Sequence, residues 1–232
     1  MALTPSWAPR LFLPDFMRAL AICLMIIFHT CFDLKSFGIW DLQAAAPLVW
    51  HYLPNLIVSL FFMAVGFSLA LAHPQHVRWK KFLLRAARIA LAAGAISGAT
   101  YWYLPHHWIY FGTLHCIVVV SFLALPLRHY PKVSLMLAVI ILGADLIFKV
   151  DWPWWEMAHA AVDYIPPLPW ISAVLLGIWL AHQAWHTWRP APLNQHLAKL
   201  IKWLGRHALL IYLIHQPIIY ALCAGVAYLR QA

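Results

Sequence analysis

Seven apolar stretches recur along the chain, at roughly 16 to 34, 54 to 72, 82 to 103, 110 to 127, 132 to 149, 168 to 187 and 207 to 229. Each approaches the ~20 apolar residues that an α-helix needs to cross a hydrocarbon core about 30 Å thick. Backbone polar groups inside a bilayer must satisfy one another, so a chain of this pattern folds as a bundle of membrane helices. The expected class is an all-α, polytopic integral membrane protein of about seven transmembrane helices, one domain over residues 1–232. Composition agrees: 64% of the residues are hydrophobic and 10% charged, against about 25% charged in soluble domains.

The formal charge of +9 invites a nucleic-acid reading, which the placement of the cations removes. Arg78, Lys80, Lys81, Arg85 and Arg88 follow the second run, Arg128 and Lys132 the fourth, and Arg189, Lys199, Lys202 and Arg206 the sixth. Arg10 and Arg18 stand at the amino-terminal end. Of 16 Lys+Arg residues only Lys35, Lys149 and Arg230 fall in the alternate set. By the positive-inside rule the amino terminus is cytoplasmic and the carboxyl terminus outside. Asp33, Asp41, Asp151, Glu156 and Asp163 gather at the outer ends. The partners expected are the lipid bilayer and an anionic ligand, not nucleic acid. The first run carries Asp15 and Arg18 and lacks a small-residue cleavage site, so it is expected to be a retained helix. Cys23, Cys31, Cys116 and Cys223 lie inside apolar runs without a CxxC pair, which signals neither a disulfide framework nor a metal site.

Polar residues at membrane depth carry the chemistry, because each costs a few kcal/mol and turns toward the bundle interior. His29 lies eleven residues beyond Arg18, roughly 16 Å along a helix. Asp33 follows one turn later on the same face, placed to accept a proton from the ring and raise its basicity. His215 lies in the last run, and His115 and Asp145 in the fourth and fifth. His29, Asp33, His215 and His115 are the candidate catalytic set. Arg85 and Arg88, three residues apart, neighbour each other on one helix face and can grip a phosphate. Arg206 sits where the last run opens, beside helix N–H groups that favour an anion. Gly94 and Gly98 read as a close helix-packing motif. The outer segments 35 to 53 and 150 to 167 are rich in Trp, Tyr and Pro, as expected of an interfacial belt or of a pocket floor that stacks on a sugar ring.

The segments Asp15 to Leu34, Phe61 to Leu69, Phe111 to His115 and Leu204 to Pro217 resemble bacterial members of the heparan-alpha-glucosaminide N-acetyltransferase catalytic-domain family. The resemblance spans nearly the whole chain. The Arg18-to-His29 spacing and the Arg85/Arg88 pair are also similar to motifs in a wider set of transmembrane acyltransferases. It implies transfer of an acyl group, typically acetyl from acetyl-CoA, to a small-molecule or glycan acceptor such as an amino sugar beyond a bacterial inner membrane. In that reading Arg18, Arg85, Arg88 and Arg206 hold the CoA phosphates. His29 is general base or acetyl carrier, Asp33 stabilises its imidazolium, and His215 or His115 steadies the oxyanion. The competing reading is a proton-coupled transporter that relays protons through the same buried His and Asp.

Overall fold

A computed structural model describes residues 12–42, 44, 46–183 and 194–231. Arg10 and Arg189, counted above among the cytoplasmic cations, lie outside the described residues. Among those residues all regular structure is helical: α1 (Phe12–Ser36), α2 (Pro47–Ala72), α3 (Trp79–Tyr103), α4 (Thr113–Ala124) continued by a 3-10 turn (Leu125–His129), α5 (Pro131–Phe148), α6 (Pro167–Ala181) and α7 (Gln195–Gln231). Five of them, α1, α2, α3, α5 and α7, are long and apolar enough to cross a membrane. The chain is an all-helical, polytopic membrane protein.

Two helix starts differ most from the sequence expectation. Helix α2 begins at Pro47 and runs through Pro54, so Trp50 and His51 are helical and not part of an outer loop. Helix α7 begins at Gln195, about three turns before the apolar run. Leu197, Leu200, Ile201 and Leu204 repeat at i, i+3, i+4 and i+7, the stripe of an amphipathic helix, while the lysines between them break the apolar run that marked the span.

The described residues fall into two compact units. The first contains residues 62–183, from the second half of α2 through α6. Here α6 packs on α5 and on α4, and α3 packs on α4. Phe62, Phe67, Leu69, Val120, Val174, Leu175 and Ile178 are buried almost completely. Helices α2 and α6 meet through reciprocal glycines: a methyl group on Gly66 would overlap the Val174 carbonyl, and one on Gly177 would overlap the Met63 carbonyl. Close packing therefore falls at Gly66 and Gly177. Gly94 and Gly98 have no other group within 4 Å of a would-be side chain, which corrects the expectation placed on them.

At one end of this unit the segments 104–112 and 150–166 fold on each other. Trp108 stacks on His159, and Tyr110 touches His159, Trp155 and Tyr164. These aromatics are engaged with one another, a packed cap more than a simple belt. Asp163 ties the cap to α4: its carboxylate accepts the Thr113 N–H at 2.9 Å and the Thr113 hydroxyl at 3.1 Å. It thereby satisfies an orphan donor of the helix start. Burial pushes the Asp163 carboxyl above the ordinary carboxylate range, and the two Thr113 bonds oppose that rise.

A raised carboxyl value means that the folded state holds the proton more tightly than the unfolded one, so the cost of ionising Asp163 grows as pH rises through that interval. Asp163→Asn keeps an acceptor for Thr113 and removes the charge. It should match wild type in acid and gain on it toward neutral pH. Asp163→Ala, which strands the Thr113 N–H, should cost about 0.5–2 kcal/mol in acid, and less toward neutral pH, where wild type also bears the cost of ionisation. Thermal unfolding in detergent from pH 4 to 7 reads both; an Asn variant that loses stability toward neutral pH would contradict the assignment.

The second unit contains α1 from Asp15, α2 to Phe61, and α7. Its core is Ile22, Met25, Ile57 and Ala208, with Phe28, Leu53, Phe61, Ile211 and Tyr212 packed around it. Helices α1 and α7 approach closely where Gly205 lies against the Asp15 backbone, with no room for a Cβ.

Candidate functional site

That close approach brings the polar faces of α1 and α7 together further along. His29 and His215 stand with ring centroids 5.0 Å apart, tilted by 57°. One turn on, the Asp33 carboxylate accepts the Gln216 amide through both oxygens, at 3.2 and 3.1 Å. His215 and Asp33 are buried, with 8% and 3% exposure. Phe28 lies edge-on to His29, and the Tyr212 ring is tilted against His215, so the polar groups have aromatic rings beside them.

The hydrogen bonds set the state of His215. Its Nδ1 lies 2.7 Å from the Tyr212 carbonyl. A carbonyl oxygen only accepts, so Nδ1 carries the proton in the neutral ring and Nε2 presents a lone pair. Nε2 is buried without a hydrogen-bond partner among the described residues, and so is Gln216 Oε1. Buried polar atoms are nearly always paired. Two such orphans on successive residues mark a place where another polar molecule can bind.

Sequence reasoning expected Asp33 to bond His29. The two do share one face of α1, but the carboxylate is taken by Gln216, because α7 lies within reach and a carboxamide offers two N–H donors. Gln216 was missed, although its place in an apolar run beside His215 and Pro217 was a visible signal.

His115 has a different occupation, in the first unit. Its Nδ1 accepts the Gly112 N–H at 3.2 Å, which leaves Nε2 to donate to Ser97 Oγ at 3.2 Å; Ser97 in turn donates to the Ile109 carbonyl at 2.6 Å. Both ring nitrogens are spent on holding the 104–112 segment to α3 and α4.

The four arginines also differ. Arg18 Nη1 pairs with Asp15 Oδ1 at 3.2 Å, and the Asp15 side chain is 1% exposed, so part of the Arg18 charge neutralises a buried acid. Arg206 is exposed in the interior of α7. The helix start proposed beside it is corrected: with α7 beginning at Gln195, the N–H groups near Arg206 belong to the helix interior. Arg85 is half-buried beside Phe82, Ile89, Val118 and Ser121, and Arg88 is exposed.

Apolar helices of membrane-spanning length, with two imidazoles and a carboxylate enclosed between two of them, define an integral membrane protein with a polar site built among its helices. Over residues 10–217 the chain matches the heparan-alpha-glucosaminide N-acetyltransferase catalytic family, and it belongs to that family of membrane acetyltransferases. No curated protein and no solved structure matches it.

Proposed function

We propose that this protein transfers an acetyl group from cytoplasmic acetyl-CoA to an extracytoplasmic acceptor, an amino sugar or glycan, in a bacterial inner membrane. The observation that carries the reading is the His29–His215 pair, 5.0 Å apart, with the Nε2 lone pair of His215 buried and unbonded. A base held in one tautomer, beside a second imidazole and walled from water, is what acyl transfer to an amine or hydroxyl requires.

The acceptor nitrogen or oxygen attacks the thioester carbonyl carbon while His215 Nε2 takes its proton. His29, whose ring has no hydrogen bond to the other described residues, donates to the carbonyl oxygen as negative charge builds there. The carbon–sulfur bond then breaks, and the thiolate leaves with the proton held by His215, giving free CoA and the acetylated acceptor. Asp33, oriented by Gln216, supplies negative charge that favours the transient imidazolium. In this reading His215, whose tautomer leaves the Nε2 lone pair open, is the base and His29 its partner. Arg85 and Arg88 are the proposed phosphate grips of the donor. Arg18 serves Asp15 first, and Arg206 contributes only exposed charge. His115 acts as a structural tie.

The test is to give the purified protein labelled acetyl-CoA and a panel of amino sugars and glycans. Label should appear in at least one acceptor; consumption of the thioester without any acetylated product, or none at all, would contradict the reading.

A further inference from the structure

Helix α7 carries one continuous stripe of exposed side chains. Lys199, Trp203, Arg206, Leu210 and Ile214 follow one another at intervals of four, three, four and four residues, which puts them on a single helix face. That face lies away from α1: Gly205 and Ala208, on the other side of α7, are the residues packed against the Asp15 backbone and beside Ile22 and Met25. Trp203 is 54% exposed, Leu210 55% and Ile214 44%, and Lys199 and Arg206 are exposed as well. Lys202, also exposed, stands three residues from Lys199 and four from Arg206. Three cations therefore cluster at one end of the stripe, with apolar side chains at the other and an indole between.

That order is the order of a phospholipid. The 37 residues of α7 extend over roughly 55 Å, more than a hydrocarbon core of about 30 Å, so the helix reaches into the headgroup layer. From Lys199 to Ile214 the axis advances roughly 22 Å, about half the thickness of a bilayer with its headgroups. Tryptophan favours the boundary between the two regions, and here its ring is held in place: the Trp203 and His207 ring centroids are 4.7 Å apart, and His207 Nδ1 donates to the Trp203 carbonyl at 2.9 Å. A ring ordered before the lipid arrives lowers the entropic cost of binding. Charge then selects among lipids. No Asp or Glu follows Asp163 in the sequence, so α7 has no carboxylate to offer the ammonium group of a zwitterionic lipid. Its three cations complement a headgroup of net negative charge.

We infer that this face of α7 is a docking surface for an anionic phospholipid such as phosphatidylglycerol. Lys199, Lys202 and Arg206 hold the headgroup, Trp203 meets the glycerol level, and Leu210 and Ile214 run beside the acyl chains. The inference uses neither the donor nor the acceptor of the acetyltransferase reading and stands apart from it.

The full-length protein is placed, one copy per disc, in nanodiscs of phosphatidylcholine with increasing fractions of phosphatidylglycerol, and amide hydrogen exchange of residues 195–206 is followed by mass spectrometry. Phosphatidylglycerol should slow exchange in this segment, and added salt should reverse the effect. The fraction that half-saturates the protection should rise about 5-fold in Lys199→Gln, and further in the double variant Lys199→Gln/Arg206→Gln. Lys149→Asn, outside the stripe, should keep the wild-type midpoint. Both substituted side chains are exposed, so the variants should melt with wild type, and the single variant carries the test if the double one does not. Equal exchange in the two kinds of membrane, or a midpoint that neither variant moves, would overturn the site. Protection that appears only in discs holding two copies, whatever the lipid, would give this face to a second copy of the chain and overturn it as well.

Discussion

Replacing His215 by alanine should lower acetyl transfer by about 100- to 10,000-fold, the usual contribution of a positioned general base, while thermal stability in detergent changes little. The ring spends one hydrogen bond, to Tyr212 in its own helix, and an alanine is at least as comfortable among apolar neighbours. His29→Ala should fall in the same range, since it removes the group 5.0 Å from His215 and no hydrogen bond to the other described residues. His115→Ala should behave differently: it cuts the bonds to Gly112 and Ser97, so stability and activity should drop together. Parallel measurement of turnover and melting temperature separates the cases. Near wild-type turnover in His215→Ala would remove it as the base, and a melting temperature that falls as steeply as the rate would make the pair a packing feature.

The second large effect concerns folding. Gly66→Ala and Gly177→Ala each push a methyl group into a backbone carbonyl of the facing helix, which cannot swing aside as a side chain would. Overpacking of a filled core costs about 1–3 kcal/mol and more where backbone must move, a large share of a stability that is commonly about 5–15 kcal/mol. Both variants should lose most of the monodisperse protein recovered in detergent. Gly94→Ala and Gly98→Ala, with open surroundings, should purify like wild type. The reverse pattern would mean that α2 and α6 do not pack as described.

Hydropathy made the helices legible because apolar runs of membrane length have few alternatives; each of the seven expected stretches holds a helix among the described residues, and five of those helices are long and apolar enough to cross a membrane. It failed at the start of α7, where lysines interrupt the run although the helical repeat of Leu197, Leu200, Ile201 and Leu204 continues through it. Helix contacts were less legible. The spacing of Gly94 and Gly98 matches a packing motif, yet the contact belongs to Gly66 and Gly177, which lie on separate helices and share no local pattern. The same holds for the site. His29, Asp33 and His215 stood out because ionisable groups are rare among membrane helices, and they do come together. Which nitrogen of His215 holds its proton, and that Asp33 is held by Gln216, depend on how α1 and α7 face each other, and spacing along one helix does not carry that information.

In the proposed reaction an acetyl group passes from a donor on one side of the membrane to an acceptor on the other by way of the His29–His215 pair. It is tested most directly with the protein in sealed vesicles, labelled acetyl-CoA on the face that exposes Lys80 and Lys81, and an amino-sugar acceptor enclosed on the opposite face. Acetylated acceptor should accumulate inside vesicles of wild-type protein and not in those of His215→Ala. Acetylated product that forms only when donor and acceptor share one side, or forms equally with His215→Ala, would contradict it.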